Sequence, residues 1–454
     1  MEIGSAVSAV EEAGKEGRKK TRGRLRRCLN AGNMSRIQDW ASLDADLVEL
    51  VGWRVLAGDL QDYVRFRAAC SHWSASTVCP HILDPRFHPR RWMMLPEGHG
   101  LYPGHPDLRG FVRFINLSTS AVVRIHLPLL DDHVILDSVD GLLLLHRDHD
   151  TVVRLLHPFT GKIVDLPPLA SLLPQETRRY YTERLKRSLL MNPCASVSVS
   201  SRGTVTVMLA LRFLHRVAYA TGGDQQWTLS DWKLQSFLAP MSSNGKIYML
   251  QYPCKSHKIH IYRIDPPCTT APDGFPHSPP CTTTPDGFPH SPPCATTPDG
   301  FPHSPLLMKI AECPLDRFSI IFGLVECGSE ILVVAYKDES RIDLAVYRLA
   351  DLVIGRFVPI TSIGNYALFL GERCLCVSLP PNKGLSKWLP SVSPNSVICL
   401  RWSRLNAGEQ LFEQYSLSTG MWTPASDGNI VKMPPPSPHE FTHHIFTCCH
   451  HRYW

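Results

Sequence analysis

Residues 133–166 read HVILDSVDGLLLLHRDHDTVVRLLHPFTGKIVDL, and this stretch decides the fold class. Short runs of leucine, isoleucine and valine alternate with turn residues, which is typical of short antiparallel strands. The pair Asp140-Gly141 favours a type I′ turn, because both central residues of that turn need a positive φ angle. The stretch therefore predicts a meander of β-strands joined by tight turns.

Similar runs continue from about Leu95 towards the end of the chain: MSSNGKIYMLQY, EILVVAYK, IDLAVYRL, NSVICLRW and EQYSLSTGMWTP. The one helical candidate among them is ETRRYYTERLKRS, at 176–188. A long antiparallel chain protects its edge strands by closing a barrel or by repeating radially. At roughly 40–50 residues per four-stranded blade, the length predicts a propeller of about six or seven blades.

Residues 36–80 show the helical period instead. In SLDADLVELVGWRVL the apolar residues at 47, 50, 51 and 55 share one face, and Ser42 or Asp44 can cap the first turn. Asp59 can cap a second helix, and Trp73 is expected to pack the core of these helices. Because forty residues bury little surface, we expect part of the apolar face to need a partner.

The first residues of the chain are strongly basic. Residues 1–33 contribute +4 of the net charge of +6, so the remainder is nearly neutral and no nucleic-acid surface is indicated. The segment lacks apolar periodicity, which predicts disorder over 1–35 and leaves Met34 as an alternative start. Its cluster is either a solvated tail or a nuclear-import signal, formed by Arg18, Lys19, Lys20, Arg22, Arg24, Arg26 and Arg27.

Residues 266–304 are a tandem repeat of three near-identical thirteen-residue copies, the first of which is PPCTTAPDGFPHS. Each copy holds prolines that interrupt sheet pairing and one Asp-Gly turn signal, so we predict a loop inserted between the strands KIHIYRID and LLMKIAEC. The cysteine and histidine of a copy lie nine residues apart, which does not suit a metal site. The terminal HHIFTCCHHRYW has no zinc-module spacing either, so we predict no metal or other cofactor.

Neither a secretory signal nor a transmembrane run is evident in the sequence, and the fifteen cysteines include no CxxC pair. Reduced thiols in the nucleus or cytoplasm fit this pattern. Cys374 and Cys376 share one face of a predicted strand and are expected to be buried or half-buried. Enzyme signatures such as the P-loop, GxSxG and HExxH are missing, and His146-Arg147-Asp148 lacks the other kinase motifs. We assign no catalytic residue.

The segment WASLDADLVELVGWRVLAGDLQDYVRFRAACSHW resembles an F-box. The family opens with a Leu-Pro pair and ends near a C-x-x-W; here Asp44 follows Leu43 in place of the proline, and Cys70 and Trp73 close the motif. The resemblance implies a surface for a Skp-type adaptor, and through it a cullin. Its implied contact residues are Leu43, Asp44, Leu47, Val48, Val51 and Leu56.

Further along, FVRFINLSTSAVVRIHLPLL, DSVDGLLLLHRDHDTVVRLLHPFTGKIVDLPPL and YALFLGERCLCVSLP are similar to plant F-box proteins with the propeller called domain of unknown function 295. This resemblance implies a plant protein that receives substrates for a ubiquitin ligase and is itself not an enzyme. The alternatives are a propeller interaction or inhibitor protein that engages no cullin, and a propeller enzyme or metal protein.

We therefore predict an α+β multidomain protein. A basic tail (1–35) precedes a helical F-box (36–80), a linker (81–94) and an all-β propeller (95–450) that carries the 266–304 insertion. Its target is a protein that the sequence does not identify, and neither nucleic acid nor membrane is an expected partner.

Overall fold

The structure is a computed structural model in which the following residues are described: 40–95, 111–172, 193–252, 258–267, 304–379, 389–402, 410–425 and 445, except 120, 148, 213, 235–237, 316, 317, 319, 339, 341, 372 and 390. The predicted helix at 176–188 lies outside these residues, as do the tail 1–35 and the repeat residues 268–303. None of the described helices combines the length and apolarity that a membrane crossing needs.

Three helices form a small module at the start of the described chain. They are α1 (Ala45–Gly58), α2 (Leu60–Ala68) and α3 (Ser71–Ala75), preceded by a 3-10 turn at Trp40–Ser42. Asp44 and Asp59 cap α1 and α2 as predicted, because each carboxylate accepts a backbone N–H of the first turn. Trp73 stacks on Phe66 with ring centroids 4.5 Å apart, but both rings are half-buried and lie beside the buried core of the module, which is formed around Leu60, Tyr63 and Phe87.

The strands of the described residues form six sheets, which are six blades of a β-propeller. Blade 1 contains β1 (Trp92–Met94), β2 (Phe111–Asn116) and β3 (Val122–His126), and blade 2 contains β4 (His133–Val139), β5 (Leu142–Arg147), β6 (Val153–Leu156) and β7 (Ile163–Leu166). Blade 3 contains β8 (Cys194–Val199), β9 (Val205–Leu211), β10 (Arg216–Thr221) and β11 (Thr228–Leu229), and blade 4 contains β12 (Leu238–Ser243), β13 (Lys246–Gln251), β14 (Lys258–Asp265) and β15 (Leu306–Pro314). Blade 5 contains β16 (Ile320–Cys327), β17 (Glu330–Tyr336) and β18 (Leu344–Arg348), and blade 6 contains β19 (Tyr366–Leu370), β20 (Leu375–Ser378), β21 (Ser396–Trp402), β22 (Gln410–Ser416) and β23 (Trp422–Pro424). A short helix α4 (Leu349–Val353) follows β18.

The hairpin turns follow the sequence. Asp140 and Gly141 have φ angles of 51° and 79°, and Asn244 and Gly245 have φ angles of 50° and 74°. These are the two positive φ angles that a type I′ turn requires. At Gly141 a side chain has no room either, because its Cβ would lie 2.1 Å from the carbonyl oxygen of Pro89.

Apolar clusters fill the junctions between neighbouring blades and close the ring. Leu144 and Leu155 of blade 2 share one cluster with Val207 and Leu209 of blade 3, and corresponding clusters follow around the ring. The last cluster joins blade 6 to blade 1 and contains Phe369, Ile398, Met93, Ile115 and Ile445. The buried Ile445 brings the C-terminal region into the junction that completes the propeller.

An ion pair also spans the ring closure. In blade 6 the innermost strand is β20, which comes second in the chain, and Arg373 precedes it. The Arg373 guanidinium pairs with the buried carboxylate of Asp137 in β4 of blade 2, and its Nη1 donates to the carbonyl of Ser138 across 3.0 Å. Asp137 lies at a bulge of β4 and also accepts the N–H of Ala195 in blade 3 at 2.7 Å.

The segment 81–94 is not the linker that the sequence predicts. It contains a 3-10 turn at Pro85–Phe87 and the first strand of blade 1, so the sheet begins before the expected boundary at residue 95. Phe87 is buried against the helices, whereas Ile82 and Trp92 are buried in apolar clusters of the blades. The apolar residues of 81–94 follow neither a helical nor an alternating period, which is why the sequence suggested a linker, but they form a packed joint.

Candidate functional site

The helix α1 presents an uncovered apolar face. Leu47, Leu50 and Val51 expose 50%, 55% and 41% of their surface, and helical spacing places the three side chains side by side. We call these three residues the α1 face. Large apolar side chains exposed together mark an interaction surface more often than an accident of packing.

The six residues that the F-box resemblance implies divide into three environments. Leu47 and Val51 belong to the α1 face, whereas Val48 is fully buried inside the module. Leu43 and Leu56 are half-buried, and the carbonyl of Leu43 accepts a hydrogen bond of 2.7 Å from Nε2 of His72. The structure therefore separates exposed candidate contacts from residues that hold the helices together, and it adds Leu50 to the exposed group.

Asp44 stands at the start of α1, where the F-box family has proline. Its φ angle of −55° is close to the value that a proline ring imposes. Its side chain accepts the N–H of Asp46 at 2.9 Å, and its carbonyl accepts the N–H of Val48. A carboxylate cap therefore starts α1 at this position.

Asp59 fixes the helical module to the propeller. One carboxylate oxygen caps α2 by accepting the N–H of Gln61 at 2.8 Å. The other oxygen accepts Nε1–H of Trp92 at 2.9 Å and the amide of Asn116 at 2.5 Å, both from blade 1. Asn116 begins the sequon Asn-Leu-Ser at 116–118, and because it is buried and bonded in this way its side-chain amide is not accessible in the folded protein.

An aromatic cluster completes the joint. Phe87 is fully buried and lies 5.6 Å from the ring of Tyr63 and 6.0 Å from the ring of Trp53. Phe159 of blade 2 packs against the same cluster. The module and the propeller thus share one core, so the direction in which the α1 face points is fixed relative to the blades.

Two buried histidines stabilise this joint in their neutral form. His157 donates from Nε2 to the carbonyl of Phe87 at 2.9 Å, and its Nδ1 accepts the N–H of Thr160 at 3.3 Å. Burial lowers the pKa of His157 to about 4. Burial also lowers the pKa of His88, which is bonded to the carbonyl of Ile82. Neither histidine lies in a motif or in a periodic apolar pattern, so their roles could not be predicted from the sequence.

The propeller carries an open cleft of about 570 Å³ between blades 2 and 3. Its lining includes Ile163 and Asp165 of the outer strand β7, together with Gly203, Gly222 and Gly223. Glycines leave backbone groups accessible, and β7 is an edge strand. The cleft lies on the side of the blades, away from the innermost strands.

Other predicted sites lie outside the described residues: the basic cluster 18–27, the repeat cysteines and histidines, and the terminal His/Cys cluster apart from Ile445. Cys374 and Cys376 are both half-buried, as predicted, and pack at the junction of blades 5 and 6. Within the described residues, no three histidine, cysteine or acidic side chains converge as metal ligands.

Comparison with known proteins assigns the propeller. A search of the curated proteins finds no match to the chain. Residues 114–410, about two thirds of the chain, match the KIB1-4 beta-propeller, a plant-type propeller family; the helices α1–α3 precede the matched region. The six blades and this match agree, and the chain therefore belongs to the KIB1-4 beta-propeller family.

Proposed function

We propose that this protein is the substrate-receptor subunit of a Skp-cullin-F-box type ubiquitin ligase. The three N-terminal helices act as the F-box and bind a Skp-type adaptor, and the propeller binds a target protein. The resemblance to plant F-box proteins with a domain-295 propeller is part of this proposal. The protein acts in the nucleus or the cytoplasm.

The observation that carries the proposal is the exposed α1 face. Leu47, Leu50 and Val51 lie on a helix whose first turn is capped and whose other side is anchored by the buried Val48. A rigid helix with uncovered apolar side chains is suited to a hydrophobic groove on a partner. No neighbouring element of the described chain buries these three side chains.

The joint between module and propeller supports the same function. A receptor performs no covalent chemistry; it raises the effective concentration of target lysines near the ubiquitin that the complex delivers. That effect depends on a fixed distance between the adaptor and the target. The bonds of Asp59 to Trp92 and Asn116, and the shared aromatic core, provide such a fixed geometry.

The test is capture of a purified Skp-type adaptor by the full chain. We expect the double substitution Leu47→Ala and Val51→Ala to weaken capture by about a thousandfold, since two buried anchors contribute roughly 2 kcal/mol each. The fold should survive, because both side chains are exposed in the free protein. Circular dichroism and thermal melting check that it does.

A control of similar residue types removes two even more exposed apolar side chains from the propeller, Ile354→Ala with Val358→Ala, and should leave capture unchanged. Equal adaptor binding by a folded Leu47/Val51 variant and by the wild type would remove the ligase proposal. Failure of the wild-type chain to bind any Skp-type adaptor would favour the alternative, a propeller interaction or inhibitor protein that engages no cullin.

A further inference from the structure

The strand β3 of blade 1 is an edge strand. It pairs with β2 on one side, and none of the described strands pairs with its other side. The backbone N–H of Asn116 donates to the carbonyl of Ala121 across 2.9 Å, so these two residues form a hydrogen-bonded pair of the ladder. Because such pairs alternate in an antiparallel ladder, the backbone groups of Val122, Arg124 and His126 point away from β2. A row of backbone groups of this kind is a template for pairing with another strand.

The side chains on one face of β2 and β3 are apolar at the ends and basic in the middle. Val122 and Phe111 expose 42% and 40% of their surface, and the ring of Phe111 lies 5.1 Å from the ring of His126. Between them Arg113 stands directly opposite the exposed Arg124, in a pair without backbone hydrogen bonds, where facing side chains come closest. We call these five residues the β3 face.

The two arginines of the β3 face are an unfavourable arrangement, since like charges directly opposite each other destabilise a sheet. Blades 2 and 4 carry opposite charges on their last two strands. In blade 2, Arg154 stands opposite Asp165, and its Nε donates to the carboxylate across 3.0 Å. In blade 4, Nζ of Lys258 in β14 donates to the carboxylate of Glu312 in β15 across 2.9 Å. A negatively charged partner at blade 1 would supply the attraction that these blades build internally.

We propose that the β3 face binds an extended acidic peptide segment of a partner protein, which adds a strand to the open edge of blade 1. Strand addition gains affinity from backbone hydrogen bonds and specificity from alternate side chains. Acidic side chains of the added strand lie beside Arg113 and Arg124, and those of its other face lie beside the half-buried Val123 and Ile125. The partner segment is therefore one in which acidic and apolar residues alternate.

A second copy of this chain is a poorer occupant of the same edge. Antiparallel pairing of two β3 strands about their centres would place Arg124 of one copy opposite Arg124 of the other, and so add a further pair of like charges. An acidic segment replaces that repulsion by attraction. The inference deepens the proposed function and rests on it in one respect, that the propeller is the part that binds the target.

The experiment measures the fluorescence anisotropy of labelled synthetic peptides with the folded full chain at low ionic strength. In one peptide glutamate alternates with valine, and in the matched peptide lysine replaces each glutamate. We expect the chain to bind the glutamate peptide more tightly by about tenfold or more, and added salt to reduce this difference. Arg124→Glu should reverse the preference, whereas Arg356→Glu, at an exposed arginine after α4, should keep it.

Methylation of the peptide's amide nitrogens tests the backbone pairing without changing the protein. Amides of successive residues point to opposite edges of a strand, so only one of two sets can face β3. Of two glutamate peptides, one methylated at its glutamate amides and the other at its valine amides, we expect one to lose binding and the other to retain it. Binding by both methylated peptides at the level of the parent would overturn strand addition.

The wild-type chain alone can refute the proposal, so a misfolded variant cannot obscure the result. Equal binding of the glutamate and lysine peptides, or binding of neither, would rule out an acidic segment at this edge. A folded Arg124→Glu variant that keeps the wild-type preference would place the binding elsewhere. A dimer of the free chain that Arg124→Glu alters would assign the edge to a second copy.

Adaptor capture by the same samples separates this inference from the ligase proposal. Arg124→Glu leaves the α1 face unchanged and removes a like-charge pair, so it should fold and capture a Skp-type adaptor as the wild type does. A wild-type chain that binds the glutamate peptide but no adaptor counts against the ligase proposal alone. A chain that captures the adaptor and shows no preference between the peptides counts against the β3 face alone.

Discussion

Nε1 of Trp92 donates a hydrogen bond of 2.9 Å to the same carboxylate, Asp59, that starts helix α2. Asp59 therefore has two roles. It caps helix α2 within the helical module, and it anchors that module to the first strand of the propeller. The amide of Asn116 reaches the same oxygen from the next strand. Each partner restrains the others, so the group behaves as a unit.

Replacing Asp59 with alanine should lower the free energy of unfolding by about 2–4 kcal/mol, because it removes a helix cap and leaves Trp92 and the buried Asn116 without their acceptor. Urea unfolding followed by circular dichroism measures this loss. Asp62→Ala removes a neighbouring exposed carboxylate that pairs only at the surface with Arg65, and should change stability by less than about 0.5 kcal/mol. Similar losses for both variants would show that Asp59 does not hold the joint.

The ion pair of Arg373 and Asp137 should matter far more than a surface pair. Arg373→Ala leaves the fully buried carboxylate of Asp137 without its cation, and we expect a loss of about 3–5 kcal/mol in the free energy of unfolding. Adding Asp137→Asn should recover part of that loss, since an amide oxygen can still accept the N–H of Ala195.

Urea unfolding of the single and double variants measures this coupling. Arg348→Ala breaks the exposed pair with Glu330 and serves as the control, with an expected loss below about 1 kcal/mol. Additive effects of the Arg373 and Asp137 substitutions would mean that the two groups do not act together.

Acid should weaken the joint through His157. Its pKa is about 4 in the folded protein and close to 6.5 in an unfolded chain, so between these values the unfolded state binds more protons. The stability that the neutral ring contributes is present above about pH 6.5 and is lost as the pH falls towards 4, by about 3 kcal/mol in total.

The variant His157→Gln keeps a donor for the carbonyl of Phe87 but cannot titrate, so its stability should fall less over that pH range. Unfolding in urea at pH 7, 5.5 and 4.5 gives the comparison, with the exposed His126→Gln as the control that keeps the wild-type slope. A wild-type slope in His157→Gln would assign the acid sensitivity to other groups.

Removing the repeats should leave the propeller folded. The strands β14 and β15 pair directly, with Asp265 opposite Leu306, and Trp232 donates to the carbonyl of Pro305 at 2.7 Å. We expect a deletion of 268–303, closed by two glycines and keeping Ser304 and Pro305, to melt within a few degrees of wild type. Loop length changes stability only weakly, by about 0.6 kcal/mol per doubling.

Differential scanning calorimetry checks this expectation. Trp232→Phe in the full chain reports separately on the contact with Pro305, which the deletion retains. A melting temperature lowered by more than about ten degrees in the deletion would show that the repeats contribute to the fold.

Local signals explain what the sequence could predict. Asp140-Gly141 predicted its hairpin because few residues tolerate a positive φ angle, and Asp59 predicted a helix start because its side chain can accept the N–H groups of the next turn. The strands on either side of the repeats could be predicted for a similar reason, because the strand pattern lies in consecutive residues of the chain.

Contacts between distant residues explain what it could not. Arg373 and Asp137 are far apart in the chain, and neither sits in a motif that names the other. Residues 81–94 resembled a linker because their apolar side chains face two different partners and so follow no period. The second role of Asp59 was hidden for the same reason: a cap is a local pattern, and a bond to Trp92 is not.

The pairing of Asp265 with Leu306 has a consequence for inheritance. The strands β14 and β15 set their own pairing register, so we expect the fold not to depend on the number of thirteen-residue copies between them. Tandem copies of nearly identical sequence are gained and lost readily during replication. Alleles that differ in copy number should therefore encode the same propeller, and any selection on that number would have to come from a property other than the stability of the fold.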